Sequence, residues 1–199
     1  MPKNFIHTVL VLLSPGLLYA DVHMANGIKI GEVDSSSAII WTRLTENPER
    51  NTNGIEFPSS DPEKPGSIWP ITQPPYPDLR ILQGSVMGTE GVVRVTYWPR
   101  GNDAAFQSTN WQRVREENDF IYSFQLKDLR PTTRYDILVE GRKEDAECKL
   151  EGTFRTAPSA GESKDIRLVV TTCGDYPRRD DPQNGHRIYP QMASLKPDF

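Results

Sequence analysis

Cys173 and Asp175 stand two residues apart, just after the apolar run Ile166–Val170 and its polar continuation Thr171-Thr172. A thiolate is a soft donor and a nucleophile, and a carboxylate is a hard donor. With one residue between them, both side chains can turn toward one ion. A mixed sulfur and oxygen set suits iron or zinc better than calcium. As a nucleophile, Cys173 would need a base nearby, and His186 is the candidate in this part of the chain. Two other readings of the thiol stay open: a disulfide with Cys148, the one other cysteine, or a thiol sealed in packing. Asp175, within Gly-Asp-Tyr-Pro, also suits an Asx turn. Asp180-Asp181 could add oxygen ligands to a hard cation, or form a solvated loop pair. Arg178 and Arg179 could clamp a phosphate, or pair with those aspartates. His186 could contact an anion from the start of a helix, or serve as a cap or a solvated side chain.

The elements that must position these residues read as a strand, a loop, a helix and a second strand. A short continuous apolar run, Ile166–Val170, bounded by polar and Gly residues, predicts a strand covered on both faces. The tip of such a strand opens onto a crevice in layered α/β folds. A helix is expected over Ile188–Leu195, beginning near Pro190, which only a first turn tolerates. Ile188, Met192 and Leu195 recur at helical spacing and are expected in a core. Lys196-Pro197-Asp198-Phe199 reads as a second strand just starting. Residues 166–199 are therefore expected to be the incomplete beginning of a domain, and the chain the front part of a larger protein.

Ahead of that unit, 24–157 reads as a mainly β domain. Gly27–Val33 alternates, and Ser35-Ser36-Ser37 makes a turn. Ala38–Leu44 sets Ile40 and Thr42 on one face and Ile39 and Trp41 on the other. The stretch 46–78 holds 8 prolines in 33 residues with no periodicity, and is expected to be a surface insertion. Strand signals resume at Leu79–Met87 and Gly91–Trp98, where Val93, Val95 and Tyr97 alternate. Asn102–Asn118 reads as a polar loop. Asp119–Leu126, Thr133–Gly141 and Lys149–Thr156 complete a set of about seven strands, which implies an antiparallel sandwich. Leu129-Arg130-Pro131-Thr132-Thr133-Arg134-Tyr135 suits a corner at which a tyrosine bonds backwards to the chain. Ala157–Asp165 is small and polar; the linker is placed at 158–165.

Residues 1–20 carry Lys3, the apolar Phe5–Leu13, then Ser14-Pro15-Gly16 and a terminal Ala20. This is the pattern of a secretory signal peptide, so a secreted or periplasmic location is expected. The apolar run is too short to be a transmembrane anchor. Net charge is −4, or −5 once Lys3 is removed with the leader. The basic pair Arg178-Arg179 is followed at once by two aspartates. Both facts argue against a nucleic-acid partner, which needs clustered cations.

From about Ala25 to Phe199 the chain resembles the PhoD-like alkaline phosphatase (alkaline phosphatase D) family. The carriers are Ile40-Trp41-Thr42-Arg43, the L-x-P-x-T-x-Y corner, the exit Gly152-Thr153-Phe154-Arg155-Thr156-Ala157-Pro158, and an apolar strand reaching Thr172-Cys173, then a loop, a helix and Pro197-Asp198-Phe199. The resemblance implies a fibronectin III/Ig-like β-sandwich followed by the first strand–loop–helix of a calcineurin-like α/β metallophosphatase domain. It implies hydrolysis of small phosphate mono- and diesters with iron and calcium as metals, zinc remaining open from the donor set. It implies an iron-ligand role for Cys173. Asp175, at the spacing used by the wider superfamily, is the second expected ligand. Further ligands are expected beyond residue 199, and no catalytic residue within it. Gly174-Asp175-Tyr176 looks like the family's Gly-Asp-x-x-Tyr segment but stands one strand too early. The rival expectation is a secreted sandwich for binding or adhesion, with Trp69 and Tyr76 as its aromatic patch.

Overall fold

The computed structural model describes residues 21–55, 78–172, 174 and 179–198. The leader, most of the Pro-rich insertion and both expected metal ligands, Cys173 and Asp175, lie outside the described residues. Trp69 and Tyr76 do too.

Two antiparallel sheets face each other. The first is built from β1 (Ile28–Gly31), β2 (Ala38–Arg43) and β6 (Ile121–Leu126), in the order β1-β2-β6. The second has the order β4-β3-β7-β8, from β3 (Gly91–Pro99), β4 (Gln107–Ser108), β7 (Arg134–Lys143) and β8 (Ala146–Arg155). A short β5 (Gln112–Val114) also pairs with β3. Alternation decides which side chains meet between the sheets. Ile40 pairs with Phe124, and Val95 with Val139, so each register puts an inward residue opposite an inward residue. Ala38, Ile40, Thr42, Leu44, Val93, Val95, Val114 and Val139 are fully buried. Each large apolar member contributes about 1.5–3 kcal/mol of transfer free energy. Of the two faces expected on β2, the one carrying Ile40 and Thr42 is the inward one, and on β3 the alternating Val93, Val95 and Tyr97 are all buried.

Two expectations for this part need correction. Leu79–Met87 is not a strand: it opens as a 3-10 turn, Leu79–Ile81, with Leu79 and Ile81 half exposed. Its apolar residues serve the foot of the insertion, where Leu82 alone is buried. Asn102–Asn118 is not all loop, since it contains β4 and β5. Both residues of β4 are polar and exposed. A strand held by backbone pairing needs no apolar alternation, so that signal could not reveal it.

The foot of the insertion is a hydrogen-bonded ribbon running off the end of β2. Glu46 donates to Met87 O, Asn51 to Ser85 O, Ile55 to Ile81 O, and Gln83 returns a bond to Ile55 O, all at 2.8–2.9 Å.

At the other end of the sandwich the corner forms as expected. Tyr135 Oη accepts from the backbone N–H of Arg130 at 2.9 Å. Leu129 is buried beneath it, and the Tyr135 ring stacks on Phe154, 5.5 Å between centroids. On the outer surface the indole of Trp111 lies between the guanidinium groups of Arg94 and Arg142, each 4.6 Å from its ring. Arg94 also bonds the carboxylate of Glu140, a buried side chain, and holds that carboxyl below its usual range. The last strand, β8, is an edge of its sheet among the described residues; Glu147, Lys149 and Glu151 point outward from it, and Cys148 and Leu150 inward. No helix among the described residues is long and apolar enough to cross a membrane.

Candidate functional site

The chain leaves the sandwich firmly held. Thr132 N donates to Ala157 O and Ala157 N to Asp34 O, both at 3.0 Å. Beyond it, the run Ile166–Val170 was expected as a strand covered on both faces, and the structure differs. No ladder includes it, and Ile166, Leu168 and Val170 are 54%, 63% and 81% exposed. An apolar run records that a segment suits burial, but burial needs layers on both sides, and the described residues supply one neighbour.

That neighbour is the segment after the helix. Asp198 N donates to Arg167 O at 2.8 Å, and Arg167 N donates to Asp198 Oδ2 at 3.0 Å. Arg167 also reaches back with its guanidinium to Leu195 O, 2.6 Å, at the end of α1 (Ile188–Ser194). The start of the run, the end of the helix and the returning chain are thus tied at one point. Asp198 further lies 3.9 Å from Arg155 on β8, which links this unit to the sandwich. The helix begins two residues before Pro190, which therefore sits in its first turn as expected. Its expected core residues are not core: Ile188 and Leu195 are 51% and 55% exposed and Met192 is half-buried. Helical spacing gave the correct element but said nothing about whether a partner layer is present.

At the far end of the run, Gly174 is described between the two expected ligands. A Cβ built there would lie 2.5 Å from the Tyr189 hydroxyl and 3.7 Å from His186 Nε2. The missing side chain therefore makes room for two residues from the start of α1. His186 and Tyr189 meet edge to face with centroids 5.8 Å apart. His186 Nδ1 stands 3.9 Å from Asp180 Oδ2, whose other partner is the backbone N–H of Arg187 at 3.1 Å. His186 is thus packed beside Gly174, past the end of the apolar run, rather than left in solvent.

Asp180 and Asp181 were read as candidate hard-cation ligands or a solvated loop pair; their carboxylates bond the backbone of the loop that follows them. Asp181 Oδ1 accepts from the N–H groups of Gln183 and Asn184, both at 2.9 Å, and the backbones of Asp181 and Gly185 bond each other twice. The Asn184 backbone and side-chain donors, with Gln183, hold the Asp181 carboxyl below its usual range. Arg179 donates to Pro182 O at 3.0 Å. Arg50, from the foot of the insertion, donates to Pro182 O and Gln183 O at 3.2 and 2.7 Å. Sequence reasoning missed Arg50 and Tyr189, and it named Asp198 only as part of Pro197-Asp198-Phe199, not as a partner of Arg167; Arg50 lies in a stretch without periodicity, and Tyr189 gave no motif.

Cys148 is a free thiol, half-buried on the inward face of β8, and burial pushes it up to about 11. The disulfide reading is thus not the arrangement found. Among the described residues no three of His, Cys, Asp and Glu gather closely enough to hold a metal ion.

No protein-family model and no curated protein matches this chain. Solved structures do. One described as the structure of PhoD matches at a TM-score of 0.47 and 14% identity, over 77% of this chain and 22% of that one. The solution structure of a fibronectin type III domain derived from human KIAA0970 protein matches at 0.39 and 13%, over 79% and 88% of the two chains. The sensor domain of the anti-sigma factor RsgI4 of Pseudobacteroides cellulosolvens matches at 0.37 and 15%, over 69% and 94%. This chain is mainly β, with sandwich-like sheets, and is similar to each of these in that respect.

Proposed function

We propose that this chain supplies the sandwich and the first strand–loop–helix of an exported, metal-dependent phosphoester hydrolase of the alkaline phosphatase D kind. The observation that carries the reading is the reciprocal bonding of Arg167 and Asp198, which returns the chain beside its own apolar run after one helix. In a complete β-α-β unit the apolar run would be the first strand and the returning chain the start of the second. The exposed Ile166, Leu168 and Val170 are then the strand face that further layers would cover.

In this reading the domains divide as 1–20 leader, 24–157 sandwich, 158–165 linker and 166–199 the beginning of the catalytic part. Cys173 as thiolate and Asp175 as carboxylate would hold iron; calcium belongs to the ligands beyond residue 199, and zinc is the alternative for the sulfur site. Bound metal supplies a lowered water pKa and charge neutralisation at a phosphate. The chain's own contribution is to fix the tip, with Tyr189 and His186 packed at Gly174 and the loop closed on Asp181. The substrate is a small phosphate mono- or diester, and the 199-residue chain alone does not turn over.

Three measurements test the reading. The coding sequence past Phe199 should continue with Gly-Asp followed closely by Tyr; a stop codon there overturns it. The longer protein should contain stoichiometric iron that Cys173→Ser loses; equal metal in both overturns the ligand assignment. The 199-residue chain should not hydrolyse p-nitrophenyl phosphate or its bis ester; metal-dependent turnover abolished by Cys173→Ala would show the site complete within it. A second reading, a non-catalytic binding module, is favoured by one observation: the two sheets close a core of their own, without the unit that follows. Absence of metal from the longer protein would leave that reading standing.

A further inference from the structure

We infer that Arg50, at the foot of the Pro-rich insertion, is a positioning residue for the loop 179–187 and, through it, for His186 and Tyr189 at Gly174. It seats the loop 179–187 on the sandwich through the carbonyls of Pro182 and Gln183, and that loop in turn seats His186 and Tyr189 against Gly174. The functional weight of this rests on the hydrolase reading above; the positioning itself does not.

Three links make the chain of contacts. First, Arg50 stands on a stiff base. Its neighbour Asn51 donates to Ser85 O and accepts from Gly84 N, while Asn51 Nδ2 donates to Arg80 O. Second, the loop it reaches is stiff as well, cross-tied by the Asp181 carboxylate and by the paired backbones of Asp181 and Gly185. A contact between two stiff bodies transmits position, whereas a contact to a soft loop would be absorbed. Third, the loop runs directly into His186, Arg187 and α1, where Asp180 accepts from Arg187 N and faces His186.

Arginine suits the task. Its planar donors have fixed directions, and a charged donor strengthens each bond to a carbonyl. Pro182 O takes a second guanidinium, that of Arg179, so the carbonyl is gripped from two sides. The two Arg50 bonds join residues 132 and 133 positions apart, so no local turn chemistry accounts for them. A second tie, Arg155 with Asp198, sits at the opposite end of the apolar run. The sandwich and the unit after it are therefore registered at both ends of the segment that carries the candidate ligands. On this view the sandwich is a working part of the site rather than a spacer.

The test is hydrogen exchange followed by mass spectrometry on the 199-residue chain, with Arg50→Ala and Arg50→Lys, together with the ring resonances of His186. In Arg50→Ala, amides of 181–189 should exchange about tenfold faster or more, with those of β3, β7 and β8 unchanged. The His186 ring signals should move. Arg50→Lys, which keeps the charge and can reach one carbonyl, should restore part of the protection. Unchanged exchange and unchanged His186 signals in Arg50→Ala would overturn the inference. So would faster exchange spread evenly through the sandwich, which would mark a general loss of stability. Neither readout needs metal or turnover, so failure here and failure of the hydrolase reading appear in different measurements.

Discussion

The hydroxyl of Tyr135 accepts a hydrogen bond from the backbone N–H of Arg130, five residues earlier, and closes the corner that leads into β7. Removing that oxygen leaves a part-buried amide without its acceptor while the ring stays stacked on Phe154. Tyr135→Phe is therefore expected to cost about 1–2 kcal/mol in urea unfolding, with no change in the m-value. A cost below a few tenths would show that water replaces the phenol at this corner.

Glu140 is buried beside Arg94, and the hydrogen bond from that guanidinium holds its carboxyl low. The folded value lies below the unfolded one, near 4.3–4.5. The stability it adds is present above the unfolded value and disappears as pH falls through the folded one. Glu140→Gln should lower stability at pH 7 by about 1 kcal/mol, since Arg94 is partly open to water, and should flatten the acid limb. Thermal unfolding from pH 7 to pH 3 reads both effects; parallel acid limbs in the two proteins would contradict the assignment.

Cys148 is pushed up to about 11 by burial, so its thiolate is scarce at pH 8. In the folded chain it should resist Ellman's reagent and react only when urea opens the sandwich. Labelling of Cys148 in the native protein as fast as in urea would mean that β8 opens far more readily than its pairing implies.

Leu168 is 63% exposed, and truncating it should cost little in this chain. Leu168→Ser is expected to change stability by less than about 0.5 kcal/mol. It should also weaken the binding of a dye that reports apolar surface. A loss of several kcal/mol would place this residue inside a packed layer.

The sandwich could be read in advance where alternation meets a core. The face carrying Ile40 and Thr42, the Val93–Val95–Tyr97 face and the Tyr135 corner depend on residues within one strand or one turn, and local sequence reports them. Cys173 and Asp175 could be named from donor chemistry, but they lie outside the described residues. What could not be read rests on partners distant in sequence. Arg50 bonds carbonyls 132 and 133 residues away, and carbonyls carry no residue identity. The exposure of Ile166, Leu168 and Val170 was hidden for a related reason: apolarity tells what a segment prefers, not what stands next to it.

The outward row of β8, acid alternating with base along a rim that no described strand pairs with, has a consequence for crowded solution. A neighbouring copy that tried to extend this sheet would have to strip water from lysine and glutamate. The rim therefore acts as a barrier against fibre-like stacking, and the domain should stay dispersed at concentrations at which a flat, greasy border would seed precipitation.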